Sequence, residues 1–115
     1  MQFQELKRIY SGQEMNINLP FRPEMKKLIL AGHKTCTSRT RRYGEIGDTF
    51  EIDGRKYKLT GVDHHYLWAV GIILFRDEGF DNLDKFKSYW EKLHPRKGYD
   101  PDQLVWIHFF REVLK

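Results

Sequence analysis

The sequence predicts an α+β domain in which short strands curl around a core and two or three helices pack outside. Three observations carry this. Asp53-Gly54 between apolar-alternating segments is a two-residue hairpin signature, because both central positions need positive φ. Asn82 opens a stretch whose Leu83, Phe86, Trp90 and Leu93 recur at helical spacing. Leu104 to Phe110 is apolar on both faces, as a central buried strand is. At 115 residues the chain has the size of one domain.

Taken in order, residues 1–14 form an N-terminal arm and residues 15–115 the domain. In the arm Phe3, Leu6 and Tyr10 fall at helical spacing, but Ser11-Gly12 breaks it, so a helix and a loose arm both stay open. Ile17 and Leu19 alternate with Asn16 and Asn18, a short strand ending at Pro20. Pro23 suits a helix's first turn, where its missing N–H has no partner to lose. Met25, Leu28 and Ile29 mark that helix's inner face and Gly32 its stop. The hairpin sets Phe50 opposite Tyr57 on one face, and Glu51 opposite Lys56 and Thr49 opposite Lys58 on the other. Its second strand runs to about Tyr66, and Leu67 to Phe75 follows as a short apolar helix. Pro95 and Gly98 belong to a loop.

Composition narrows the function. The formal net charge is +4, and it is concentrated: Arg22, Lys26, Lys27, Lys34, Arg39, Arg41 and Arg42 face a single acid, Glu24, over residues 22–42. Such a run is either a solvated basic face or the footprint of an anionic partner. The lone Cys36 cannot form an internal disulfide, and the N-terminal residues lack a signal-peptide layout; a reducing, cytoplasmic setting is expected. The longest apolar run, Leu67 to Phe75, falls short of the about 20 residues that span a bilayer, so no membrane partner is expected.

The segment Lys34 to Arg42 is rich in Thr and has no large apolar residue. If extended, Thr35, Thr37, Arg39 and Arg41 share one face, and Cys36, Ser38, Thr40 and Arg42 the other. It is either an exposed edge strand or the wall of a wet cleft, and its place after a helix-stopping glycine favours the cleft. Adjacent His64 and His65 point to opposite faces of a strand, and His33, His94 and His108 have no short ligand spacing, so no metal and no cofactor is expected. Cys36 reads as an inert, half-buried thiol. Of the aromatics Trp68, Tyr89, Trp90 and Tyr99, Trp90 belongs to the core; Tyr43, beside Arg41 and Arg42, is the better stacking candidate.

Gly32-x-Lys34-x-x-Thr37-x-Arg39 follows the helix sequence Phe-Arg-Pro-Glu-Met-Lys-Lys-Leu-Ile-Leu-Ala. Gly44-x-x-Gly47-Asp48 then opens a strand, and Asp77-Glu78-Gly79-Phe80 precedes a helix. This order resembles the ASCH domain, a relative of the PUA RNA-binding fold, over roughly residues 15–113. The resemblance implies a small PUA-like β-barrel with flanking helices and a cleft for RNA or a modified nucleoside. Thr37 stands where many ASCH domains carry Glu. It is similar to the small branch that hydrolyses N4-acetylcytidine, whose Lys, Thr and Glu map to Lys34, Thr37 and Glu78. On that reading Thr37 attacks the acyl carbon, Lys34 takes its proton and Glu78 serves the leaving amine. Arg39, Arg41 and Tyr43 would hold the substrate, and Arg22, Lys26, Lys27 and Arg42 nucleic-acid phosphates. An Arg39–Glu78 ion pair is the structural alternative for those two residues. RNA recognition in a basic cleft, amide hydrolysis, a metal-dependent ribonuclease and a protein-interaction module are the functions in play.

Overall fold

The computed structural model describes residues 14–114; the N-terminal arm read from the sequence lies almost wholly outside them. Helix α1 spans Pro23–Leu30, with Pro at its first turn and Met25 and Ile29 buried. It ends where Gly32 turns left-handed at φ 82°, and His33 and Lys34 both donate backbone N–H groups back to the Leu28 carbonyl. Strand β1 is Cys36–Arg39, β2 Thr49–Ile52 and β3 Arg55–Tyr66. Then come α2, Leu67–Leu74, α3, Leu83–Leu93, and β4, Leu104–Glu112.

The strands form one antiparallel sheet in the order β1-β4-β3-β2. The hairpin register is the one its turn residues demand: Phe50 pairs with Tyr57, Glu51 with Lys56 and Thr49 with Lys58, and Asp53 and Gly54 both have positive φ. A register shift between Leu59 and Gly61 interrupts the β3–β4 ladder, and such a bulge bends a strand and adds twist. The long β3 so curls the sheet into a half-barrel, the α+β architecture of a small PUA-like barrel. Ile17 and Leu19 do not make a strand; that segment holds only an isolated parallel bridge, Asn16 to Thr49. Pro20 and its successors lead the chain away before a ladder can extend.

Two apolar clusters lie on the two faces of the sheet. One joins Leu19, Ile29, Phe50, Ile52, Tyr57, Leu59 and Phe110 under α1. Phe50 stacks on Tyr57 at 5.5 Å and meets Phe110 edge-on at 5.2 Å, geometries worth about 0.5–1.5 kcal/mol each beyond the area they bury. The other joins Cys36, Val105 and Ile107 to Leu67 and Val70 of α2 and Phe86 and Trp90 of α3. Strand β4 supplies both clusters by alternation, which is why its sequence is apolar on both sides. In α3 the Asn82 side chain accepts from the Lys85 N–H at 2.9 Å, closing the N-terminus, but Leu93 at the far end of the stripe is exposed.

Candidate functional site

Among the described residues strand β1 is an edge of the sheet, paired only with β4, and a cavity of about 430 Å³ opens along it between the two clusters. Its walls include Phe21 and Met25 from the α1 side, Phe80, Phe86, Tyr89 and Trp90 from the α3 side, and Lys34, Thr37, Ser38, Arg39 and Glu78 at its polar end. Lys34 lies in the turn released by Gly32, two residues ahead of β1, so it is not bound by strand alternation and can share a cavity with Thr37. The edge position of β1 likewise leaves Thr37 and Ser38, of opposite parity, both on the cavity wall.

Glu78 is carried in by the turns that follow α2. Its N–H donates to the Leu74 carbonyl, and Gly79 takes φ 105° immediately after it. In the opposite direction, Thr35 and Cys36 donate their N–H groups to the Asp77 carbonyl, which staples this turn to the start of β1. The Glu78 carboxylate is then held on three sides. Lys34 Nζ donates to Oε1 at 3.2 Å and also to the backbone carbonyl of Glu78 at 2.9 Å. Ser38 Oγ donates to Oε2 at 2.6 Å, and the Cys36 thiol lies 3.7 Å from that oxygen. All four residues are buried. The Arg39–Glu78 pair weighed as an alternative does not form, because Lys34 occupies the carboxylate.

Arg39 instead frames Thr37. Its Nε donates to Thr37 Oγ1 at 3.1 Å and one Nη to the Pro20 carbonyl at 2.6 Å. Its guanidinium lies over the rings of Phe21, at 4.9 Å, and Tyr43, at 5.2 Å. Burial works against the Arg39 charge and draws its pKa down, while Tyr43 and Glu78 oppose that shift. Since Thr37 Oγ1 is the acceptor in this bond, its own proton remains available to a base.

Behind Thr37 lies His108, which is fully buried. The Tyr43 N–H donates to its Nε2 at 3.0 Å, so the ring proton belongs on Nδ1, which faces the Thr37 carbonyl at 3.2 Å. Burial lowers the His108 pKa, and nearby Arg39 and Arg42 lower it further. This imidazole ties the Tyr43 segment to β1. Among the described residues no group of His, Cys, Asp and Glu is placed to hold a metal ion.

The other sequence candidates divide. Arg22 and Tyr43 line the cavity, whereas Lys26, Lys27, Arg41 and Arg42 do not. Tyr43 is no free stacking platform, since Arg41 sits over its ring at 4.3 Å and Arg39 approaches it too; Arg41 and Arg39 also lower its hydroxyl pKa. Arg42 is engaged by the Gly44 carbonyl and the Glu45 carboxylate and lies 5.2 Å over Trp106. Cys36 is completely buried rather than half-buried, and burial pushes its thiol pKa well above the usual range. Trp90 is core as expected, but also cavity wall. Sequence reasoning did not single out Ser38, Phe21 or Phe80 for the site. Phe80, directly after Glu78-Gly79, carried the only signal, its place in the same motif.

No family model and no curated protein sequence matches the chain. Solved structures do. The fold is first that of a PUA-like α+β half-barrel, and within that class it is the ASCH-domain fold. An ASCH domain from Lactobacillus crispatus JV V101 superposes with a TM-score of 0.62 at 14% identity, over 95% of this chain and 87% of that one. A protein from Enterococcus faecalis V583, described by the family model DUF984, superposes with a TM-score of 0.65 at 18% identity, over 96% and 89%. A hypothetical protein, PH0355, reaches 0.60 at 19% identity, over 81% and 94%. No helix of the described residues is long and apolar enough to cross a membrane.

Proposed function

We propose that this protein is an amidohydrolase that removes an acyl group from the exocyclic amine of a cytidine-like nucleoside, using Lys34, Thr37 and Glu78. One observation carries the reading: a buried Lys34–Glu78 pair, 3.2 Å apart, lines the same cavity as a Thr37 hydroxyl whose lone pair is already held by Arg39. Buried charges left beside an open cavity are costly for stability alone, and they cluster where chemistry needs them. The size and lining of the cavity, aromatic walls with one polar end, suit a single nucleoside.

In this mechanism Thr37 Oγ1 attacks the acyl carbon as its proton passes through Lys34 Nζ to the Glu78 carboxylate across their shared hydrogen bond. Arg39 faces the oxyanion that forms. The C–N bond then breaks, the leaving amine takes a proton from the Lys34–Glu78 pair, and the acyl group remains on Thr37 as an ester. Water hydrolyses that ester through the same pair, releasing the carboxylic acid and restoring the hydroxyl. Ser38, donating to Oε2, keeps the carboxylate pointed at Lys34.

The test is deacetylation of N4-acetylcytidine by the purified protein, followed by chromatography, with Lys34→Ala and Thr37→Ala alongside. Turnover lost in both variants supports the assignment; no turnover by well-folded protein sinks it. A second reading, recognition of RNA, draws on Arg42 and His64 flanking Trp106, with the His64 ring stacked on the indole at 4.0 Å. It expects affinity for single-stranded RNA to fall with salt at a log–log slope near −0.7 per phosphate neutralised.

A further inference from the structure

The cavity beside β1 carries positive charge that its own residues do not cancel. Its charged lining consists of Arg22, Lys34, Arg39 and Glu78. Lys34 and Glu78 neutralise each other in their buried pair, whereas Arg22 and Arg39 have no carboxylate partner among the described residues. Depth separates these groups. Lys34, Thr37 and Glu78 are each 4% exposed and mark the floor, while exposed Arg22 and half-buried Tyr89 mark the mouth. Arg39 lies between them. Its Nε is at Thr37 Oγ1, but one Nη donates to the Pro20 carbonyl at 2.6 Å and the guanidinium lies 4.9 Å over the Phe21 ring, against the residues that lead into Arg22. From α3, the Tyr89 hydroxyl reaches the same segment and donates to Glu24 Oε1 at 3.4 Å, the long end of a hydrogen bond. Burial raises the Tyr89 hydroxyl pKa first and Glu24 adds to it, while Arg22 and Arg39 both oppose that shift, so both cations act on this hydroxyl.

We infer that the mouth is a phosphate subsite formed by Arg22 and Tyr89, and that the substrate is a nucleoside 5′-monophosphate rather than the free nucleoside. The inference rests on the proposed function for the direction in which the substrate lies. The acylated exocyclic amine has to reach Thr37, Lys34 and Glu78 on the floor, with the base between aromatic walls such as Phe80, Phe86 and Trp90. In a cytosine the ribose leaves the ring opposite that amine, so the sugar and its 5′ substituent point outward to the mouth. A phosphate there takes charge-assisted donors from Arg22 and replaces the exposed Glu24 as acceptor for Tyr89. It also supplies the counter-charge that Arg39 lacks in a cavity where burial works against the guanidinium. The remaining cations nearby do not extend this subsite into a track for a polymer. Arg41 sits over the Tyr43 ring, Arg42 is engaged by the Gly44 carbonyl and the Glu45 carboxylate, and Lys26 and Lys27 lie outside the cavity.

The experiment uses the full chain in phosphate-free buffer at low salt. Calorimetry compares cytidine with cytidine 5′-monophosphate, and turnover is measured on the N4-acetyl form of each. The expected result is affinity for the monophosphate about 10-fold or more above that for cytidine, shrinking as salt screens the charge. The acetylated monophosphate should show a matching gain in kcat/KM, carried by KM. Arg22→Gln should abolish most of the difference between the two ligands. Lys27→Gln removes a cation of the same helix outside the cavity and should leave that difference as it was. A difference lowered equally by both variants would overturn the subsite, because the net charge of the protein would then account for it. Equal affinities in the parent protein overturn it outright. Turnover separates this inference from the function on which it rests. Preference for the monophosphate with no turnover of either acetylated compound keeps the subsite and sinks the amidohydrolase, whereas turnover of both with equal kcat/KM keeps the amidohydrolase and overturns the subsite. A single-stranded oligocytidylate that binds more tightly than the monophosphate, and loses that advantage in Arg22→Gln, would overturn the mononucleotide and assign the mouth to RNA.

Discussion

Lys34 Nζ donates to the backbone carbonyl and the carboxylate of the same residue, Glu78, at 2.9 and 3.2 Å, with both side chains buried. The bond spans 44 positions of sequence and joins the turn after α1 to the turn after α2. It therefore closes the polar end of the cavity and sets the relative position of two segments that no strand pairing connects. Removing one partner leaves the other charge buried and uncompensated. Glu78→Leu and Lys34→Met should each lower unfolding stability by about 3–5 kcal/mol in denaturant titrations. The double variant should lose much less than the sum, because neither charge is then left alone.

On the proposed mechanism Thr37 serves catalysis more than folding. Its carbonyl, not its side chain, meets His108, so Thr37→Ala keeps that bond. On the proposed mechanism Thr37→Ala should lower kcat on N4-acetylcytidine by about 10³-fold or more, at a stability cost of only about 1 kcal/mol from the acceptor that Arg39 Nε loses. Thr37→Ser retains the hydroxyl and should keep measurable turnover. Equal activity in Thr37→Ala would remove Thr37 as the nucleophile.

His108 makes stability depend on pH. Its folded pKa is lowered by burial first, then by the charges of Arg39 and Arg42. A depressed pKa means that the unfolded chain binds the proton more readily. The contribution is thus complete above the unfolded value of about 6.5 and is lost as pH falls through it toward the folded value. Protonation of Nε2 also breaks the bond from the Tyr43 N–H. Unfolding free energy measured from pH 8 to pH 5 should fall below pH 6.5 with a slope approaching about 1.4 kcal/mol per pH unit from this one group. His108→Gln should flatten that part of the curve.

Gly79 lets the turn present Glu78. At φ 105° any side chain is strained there, and a Cβ would sit 2.9 Å from Leu28 Cδ1 and 3.4 Å from Lys34 Cβ. Gly79→Ala should cost about 1–3 kcal/mol and, on the proposed mechanism, reduce kcat as well, because relieving the contact moves the backbone next to Glu78. Lost stability with unchanged turnover would show that the Glu78 position tolerates the shift.

Much of this architecture was legible in the chain because its signals are local. The Asp53-Gly54 turn dictates the Phe50–Tyr57 register through φ alone, and Asn82 caps α3 through an atom three residues from its partner. The two-sided apolar run of β4 announces a strand with a core on each face. The Ile17–Leu19 strand failed for the converse reason. Alternation makes a strand possible, but a ladder needs a partner edge, and the segment meets β2 in a single bridge around Thr49, made by the Met15 carbonyl and the Ile17 N–H.

For the site, the residue types and their order along the chain singled out Lys34, Thr37, Arg39 and Glu78. Which of them touch was a tertiary matter. Lys34 and Arg39 carry the same charge and lie within one short segment, so composition cannot say which takes Glu78. The turn at Gly32 and the staple from Asp77 to β1 decide it, and Arg39 is left to Thr37, Pro20 and two aromatic rings. The sequence by itself determined the turns, caps and strand faces, because those depend on backbone dihedrals and hydrophobic period over a few residues. Only the tertiary structure decided the ion pair and the buried state of Cys36, because these depend on which distant segments exclude water from one another.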